Sequence, residues 1–148
     1  MTNDNSLFTQ TINFFPCILI IENDEDTRLM MKYLLKLWNY RIIEASDDED
    51  AIQMAEIHRP DLILISDRLQ KIDALTTTRR IRQLSEPGDP VIIFITGYSE
   101  PSVHASALAA GANDFMIKPI DFGQLEIRLK KYLRKKYKPH ETSVKGVL

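Results

Sequence analysis

The sequence holds a single cysteine, Cys17, so an intrachain disulfide is excluded and a reducing compartment is the expectation, with the thiol read as a small core residue on a strand. Long apolar runs are missing too. Stretches such as Ile18–Ile21 and Val91–Ile95 fall far short of the ~20 residues that cross a bilayer, so no membrane span is expected. The amino-terminal stretch lacks a basic segment followed by a long apolar one, which argues against a secretory signal and makes the cytoplasm the expected location. A net charge of −2 disfavours indiscriminate nucleic-acid binding. Neither Gly-x-Gly-x-x-Gly nor Gly-x-x-x-x-Gly-Lys-Ser/Thr occurs, which disfavours dinucleotide and P-loop nucleotide binding. No Gly-x-Ser-x-Gly elbow supports an esterase, and His58, His104 and His140 are too scattered for a zinc site.

What is present is an ordinary globular composition: 148 residues, 44% hydrophobic and 27% charged. One core is expected, burying roughly two-thirds of the surface that the unfolded chain exposes. Met1–Phe15 reads as a loose arm, after which a regular beat begins. Buried strands are expected at Ile18–Ile21, Arg41–Ala45, Leu62–Ile65, Val91–Ile95 and Phe115–Ile117, each followed by a segment with helical spacing.

The first helix is predicted from Glu25 to Trp38, with Met30, Leu34, Leu37 and Trp38 on one face, Leu29 and Tyr33 beside them, and Asn39 as a left-handed cap. The second opens with Ser46 and Glu49 as a capping box and ends near Arg59, before Pro60. The third carries Leu75, Thr78, Ile81, Arg82 and Leu84 and stops at Glu86–Pro90. The fourth runs from Ser102 to Ala110 and ends at Gly111. The fifth starts at Asp121 with Gln124 behind it and carries Phe122, Leu125, Ile127, Leu129 and Leu133.

Alternating strands and helices with short connections imply an α/β, doubly wound parallel sheet of five strands. In such sheets ligands bind beyond the carboxyl ends of the strands. Those ends carry Glu22, Asn23, Asp24, Glu25 and Asp26 after the first strand, Ser66, Asp67 and Arg68 after the third, Thr96 and Gly97 after the fourth, and Lys118 and Pro119 after the fifth. Carboxylates that hold Mg²⁺, with a hydroxyl and an ammonium for phosphoryl oxygens, would make a phosphoryl site. Asp24 and Asp26 are also ordinary caps for the first helix.

Over roughly Cys17–Leu133 the sequence resembles the receiver domains of two-component response regulators. The carrying segments are Ile18–Arg28, Pro60–Ile65, Ile72–Leu75, Val91–Gly97, Gly111–Phe115 and Ile117–Asp121. The resemblance implies a flavodoxin-like sheet in the order 2-1-3-4-5 and Mg²⁺-dependent phosphoryl transfer from a histidine kinase or phosphotransfer protein to an aspartate. It also implies a switch surface on the fourth helix, fifth strand and fifth helix, with Thr96 and Phe115 as switch residues and a cis Pro119.

In the family pattern two adjacent acids follow the first strand; here Glu22 matches and Asn23 does not. An amide oxygen is a weaker ligand for a hard cation, so Mg²⁺ binding through Glu22, Asn23 and Asp67 is expected to be weakened. Thr96 and Lys118 match. A gapless alignment puts Ser66 in the place of the phosphorylated aspartate. The alternative makes Asp67 the acceptor and needs an extra residue, a bulge, in the strand. A serine would require a general base, and no histidine falls at a strand end.

The expected function is therefore a stand-alone receiver acting as a protein-interaction module with an impaired phosphoacceptor site. The alternative is a working single-domain regulator that accepts phosphoryl on Asp67 with Mg²⁺. The chain is not expected to be an enzyme, save for phosphoryl-acceptor or autophosphatase activity if Asp67 serves. A small acid-dependent phosphatase is the enzyme-class competitor. Either Arg68 or Lys118 is expected to fill the space of the metal, with Lys118 paired to Glu22 or Asp67. The boundaries read as an arm over 1–15, a receiver over 16–136 and a tail over 137–148. The basic segment from Lys130 to Lys138 reads as a solvated helix end, and the short remainder points to output through a downstream signalling protein or a homodimer rather than direct DNA binding.

Overall fold

The structure, a computed structural model, describes residues 15–67, 73–84 and 90–136, apart from the side chains of 135 and 136. The predicted arm up to residue 14, Arg68 with its loop, most of the breaker before Pro90, His140 and the tail lie outside the described residues.

Two compact units are distinguished, Pro16–Pro119 and a second whose described part is Phe15 with 120–136. The first holds a parallel sheet of β1 (Cys17–Ile21), β2 (Arg41–Ala45), β3 (Leu62–Ser66), β4 (Val91–Thr96) and β5 (Asp114–Ile117), in the order β2-β1-β3-β4-β5. Between the strands run α1 (Glu25–Leu37), α2 (Asp48–His58), α3 (Ala74–Leu84) and α4 (Pro101–Ala110). The predicted fold class and strand order are both present, with strands extended by one residue at Cys17, Ser66, Thr96 and Asp114.

The three inner strands are buried along their whole length, which explains why they read as continuous apolar runs rather than alternating ones. Alternate residues Leu19, Ile21, Ile63, Ile65, Ile92 and Phe94 form one core cluster with Ala51, Ala74, Ile81 and Ala107 from α2, α3 and α4. Each such large side chain contributes about 1.5–3 kcal/mol by leaving water. Cys17 is buried and free, and burial pushes its thiol up from the ordinary value. The starts of β1 and β3 are joined by Asp61, whose amide donates to the Cys17 carbonyl and whose Oδ2 accepts from the Cys17 amide, both at 2.8 Å.

Two predicted details differ. In α1 the buried residues are Met31 and Leu35, whereas Met30, Leu37, Leu29 and Tyr33 are exposed. Nearly every position from 29 to 35 is apolar, so helical spacing admits two phases, and packing against β1 and β2 selects the other one. Trp38 is the C-cap and Asn39 adopts the left-handed conformation at φ 70°. In α2 the N-cap is Asp47, whose carboxylate accepts from the Asp50 amide at 2.9 Å, instead of Ser46. Asp and Ser cap comparably well, so the local pattern leaves the start open by one residue. The helices α2 and α4 end at Arg59 and Gly111, where Pro60 and the glycine itself are expected to stop them, and both residues adopt left-handed conformations.

The helix α3 starts at a cap formed by Asp73. Its Oδ1 accepts from the Thr76 amide at 2.7 Å and its Oδ2 from the Thr76 hydroxyl at 3.0 Å, and the amide bond first of all holds this carboxyl below its ordinary value. A carboxyl lowered by folding adds stability above its unfolded value, and that contribution vanishes as pH falls through the folded value. Asp73→Asn is therefore expected to flatten the acid side of a thermal-stability profile below about pH 4. Melting curves between pH 2 and 6 check this, and an unchanged acid limb would contradict it.

In the second unit, α5 (Phe122–Lys136) begins after Asp121, whose Oδ1 accepts from the Gln124 amide at 3.0 Å as its spacing predicts. Leu125, Leu129 and Leu133 recur on one helical face and are buried, while Ile127 is 60% exposed. Lys130 pairs with Glu126 one turn back at 3.9 Å.

Candidate functional site

Four strand ends bring their predicted residues together. Glu22 follows β1, Ser66 closes β3 with Asp67 after it, Thr96 closes β4, and Lys118 follows β5. Glu22, Ser66 and Thr96 are buried. Parallel strands of similar length end in one row, so residues far apart in sequence meet there.

The register of β3 on β4 runs one to one from Leu62↔Val91 to Ser66↔Ile95, and the Asp67 amide still donates to the Ile95 carbonyl at 2.9 Å. The strand contains no bulge. Ser66 is thus the last ladder residue, and its Oγ accepts from the Lys118 ammonium at 2.8 Å. The same ammonium lies 3.5 Å from Glu22 Oε1 and 4.0 Å from Asp67 Oδ1. These are the ion-pair partners predicted for it.

Asp67 enters the site without a bulge. Its Oδ2 accepts from the Thr96 hydroxyl at 2.8 Å and from the Gly97 amide at 3.2 Å. Its Oδ1 is buried and has no hydrogen-bond partner among the described residues. Thr96 does two jobs. Its one proton goes to Asp67, and its oxygen accepts from the Tyr98 amide at 3.0 Å.

Glu22 is held from two sides: its Oε2 accepts from the Asp24 amide at 3.0 Å, and its carbonyl accepts from Arg28 Nη1 at 2.8 Å. Asp24 caps α1, and the Thr27 hydroxyl and amide hold its carboxyl below the ordinary value. Asn23 is half-buried beside them. Mg²⁺ takes oxygen ligands in near-octahedral geometry, chiefly carboxylates and water. Here the acids next to Asn23 are committed to an amide, a hydroxyl or an ammonium, and among the described residues no three His, Cys, Asp or Glu side chains converge to hold a metal ion. In this arrangement the Lys118 ammonium lies against both Glu22 and Asp67, the two carboxylates that would hold the ion, and Asn23 offers an amide oxygen in place of a third.

Phe115 is half-buried on β5, and its ring stacks on His104 of α4 with centroids 3.8 Å apart and planes at 18°. The His104 Nε2 lies 3.1 Å from the Tyr98 carbonyl. The Lys118–Pro119 peptide is cis, as the resemblance implies. The pairing of His104 with Phe115 escapes sequence reasoning, because it joins a helix to a neighbouring strand and leaves no local spacing. The Gly97 and Tyr98 amides escape it as well; their place directly after Thr96 is the available signal.

Comparison with known proteins agrees with this arrangement. Residues 18–130 match the model of the response regulator receiver domain. The alkaline phosphatase synthesis transcriptional regulatory protein PhoP of Bacillus subtilis is 32% identical over 80% of this chain and 48% of its own length. The transcriptional regulatory protein ZraR of Escherichia coli is 33% identical over 78% of this chain and 26% of its own. The chain therefore spans half or less of the length of these curated relatives. Among solved structures, a two-component response regulator from Clostridium difficile has a TM-score of 0.77 at 29% identity, covering 82% of this chain and 98% of that one. The receiver domain of sensor histidine kinase PA1611 from Pseudomonas aeruginosa, solved with a magnesium ion in its active-site cleft, has a TM-score of 0.74 at 28% identity, covering 80% and 98%.

Proposed function

We propose, from the premise that the chain belongs to the response regulator receiver domain family, that it acts in two-component signalling as a protein-interaction module whose phosphoacceptor site is impaired. The observation that carries this reading is the 2.8 Å bond from Lys118 to Ser66 Oγ, at the closing position of β3. A carboxylate is an ionised nucleophile near neutral pH, whereas a serine hydroxyl must lose its proton to a base. The group touching Ser66 Oγ is an ammonium, which donates a proton and accepts none. Asn23 removes one acid from the metal position, and the Lys118 ammonium supplies positive charge beside Glu22 and Asp67 instead, so Mg²⁺ binding is weakened.

In this reading the chain works in the cytoplasm and meets a histidine kinase or phosphotransfer protein and a downstream signalling protein without needing a phosphoryl group. It turns over no substrate and makes no direct contact with DNA, and a homodimer is compatible with it. Among the described residues no helix is long and apolar enough to cross a membrane.

One observation favours a second reading. Asp67 stands within reach of both Thr96 and Lys118, the groups that would meet a phosphoryl group on it. It would then accept phosphoryl with Mg²⁺, and Thr96 and Phe115 would shift between two states. Against this, Oδ2 already holds two donors and Oδ1 is buried.

Co-purification of the tagged full chain, as wild type and as Asp67→Asn, with and without an acyl phosphodonor, separates the readings. The same partners in all four samples are expected. A partner held only by phosphodonor-treated wild type would overturn the proposal.

A further inference from the structure

The donors around Asp67 come from two separate strand ends and converge on one carboxylate. Thr96 offers a hydroxyl, Gly97 a backbone amide and Lys118 an ammonium, at 2.8, 3.2 and 4.0 Å. A hydroxyl, an amide and a cation grouped in this way form a cradle for an oxyanion. We infer that the Asp67 carboxylate is the built-in occupant of this cradle, and that it holds the turn between β4 and α4 in one conformation with no added anion. The inference rests on the reading that Asp67 is not itself the phosphoryl acceptor.

The hold extends beyond the cradle through named contacts. Thr96 gives its proton to Asp67 and so keeps its oxygen free to accept from the Tyr98 amide. The Tyr98 carbonyl accepts from His104 Nε2, and the His104 ring lies on Phe115. An occupied cradle is thereby connected to the surface of α4 and β5. Without the carboxylate, the fully buried Thr96 hydroxyl would lose its acceptor, and a buried polar group left unpaired is costly. The turn would then rearrange, or another anion would enter.

A tethered carboxylate competes with a free anion at an effective concentration in the millimolar range or above, without paying for association. Wild type should therefore refuse inorganic phosphate, while a variant lacking the carboxylate should admit it. Gly97 supplies its amide rather than a side chain, so this donor is still available to an entering anion when Asp67 is truncated.

The test titrates inorganic phosphate into ¹⁵N-labelled full chain as wild type, Asp67→Ala and Asp67→Asn, following the Gly97 and Tyr98 amides and the ring resonances of His104 and Phe115. In Asp67→Ala the two amides are expected to shift saturably, with affinity at least tenfold above wild type. Its ring resonances should leave their wild-type positions without phosphate and return with it. Asp67→Asn keeps an oxygen for Thr96 and loses the charge, so its rings should stay in place; should the alanine variant fail to fold, an asparagine variant with displaced rings overturns the inference. Equal phosphate affinity in wild type and Asp67→Ala, or rings that never move in the alanine variant, would also overturn it. An Mg²⁺-dependent phosphoryl adduct on Asp67 of wild type would instead overturn the reading beneath it, so the two failures are distinguishable.

Discussion

Replacing Ser66 and Asn23 together by aspartate is expected to raise Mg²⁺ affinity by about a hundredfold and to create an Mg²⁺-dependent phosphoryl acceptor at position 66. Two unit charges 4 Å apart attract with about 4 kcal/mol at an effective dielectric of 20, and tenfold in affinity needs only about 1.4 kcal/mol. Each added carboxylate can therefore lose more than half of that attraction to desolvation and still contribute tenfold. Lys118, which now donates to the Ser66 hydroxyl, would donate to a carboxylate at the same place. Calorimetric titration with Mg²⁺, followed by treatment with an acyl phosphodonor, checks both halves. A folded double variant with unchanged Mg²⁺ affinity and no adduct would mean that Ser66 does not occupy the acceptor place.

Arg82→Ala is expected to be the most destabilising single substitution of a polar residue in the Pro16–Pro119 unit. The guanidinium of Arg82, on α3, donates to the Gly111 carbonyl at 2.8 Å, to the Pro90 carbonyl, and to Asn113 Oδ1 at 2.6 Å. Asn113 Oδ1 also accepts from the Ile92 amide at 2.8 Å. One side chain thus fastens the end of α4, the entry to β4 and the entry to β5 to α3. Hydrogen bonds from a charged group are worth about 1.5–3 kcal/mol each, and partial exposure reduces their sum, so a loss of about 3 kcal/mol is expected. For a chain of this size that corresponds to roughly 6–12 °C in Tm. Arg82→Lys should recover only part of it, because an ammonium cannot span three acceptors with a planar fork. A Tm within 2 °C of wild type for Arg82→Ala would contradict the clamp.

Much of this fold is legible in the amino-acid sequence. Buried parallel strands produce apolar runs of four to six residues, and the breakers Pro60 and Gly111 and the Asp121 cap delimit helices through backbone chemistry that acts locally. Helix α1 departs from its expected phase because its apolar residues run almost continuously, and the phase of a helix is then decided by what it packs against. The start of α2 departs by one residue because Ser46, Asp47 and Asp48 are adjacent capping residues. At the site, the strand-end rule places Glu22, Ser66, Asp67, Thr96 and Lys118 together, because the sheet geometry guarantees it. How Asp67 uses its carboxylate is not legible. Its bonds to Thr96 and Gly97 join positions about thirty residues apart, and no spacing along the chain encodes them. The pairing of His104 with Phe115 is of the same kind.

The central claim is that Ser66 holds the acceptor place and that Asp67 is not phosphorylated. Intact and peptide-level mass spectrometry of the folded wild-type chain, after incubation with a small-molecule acyl phosphodonor with and without Mg²⁺, tests it most directly. No phosphoryl adduct is expected at either residue in either condition. An Mg²⁺-dependent adduct localised to Asp67 would contradict it and restore a phosphorylation-driven switch.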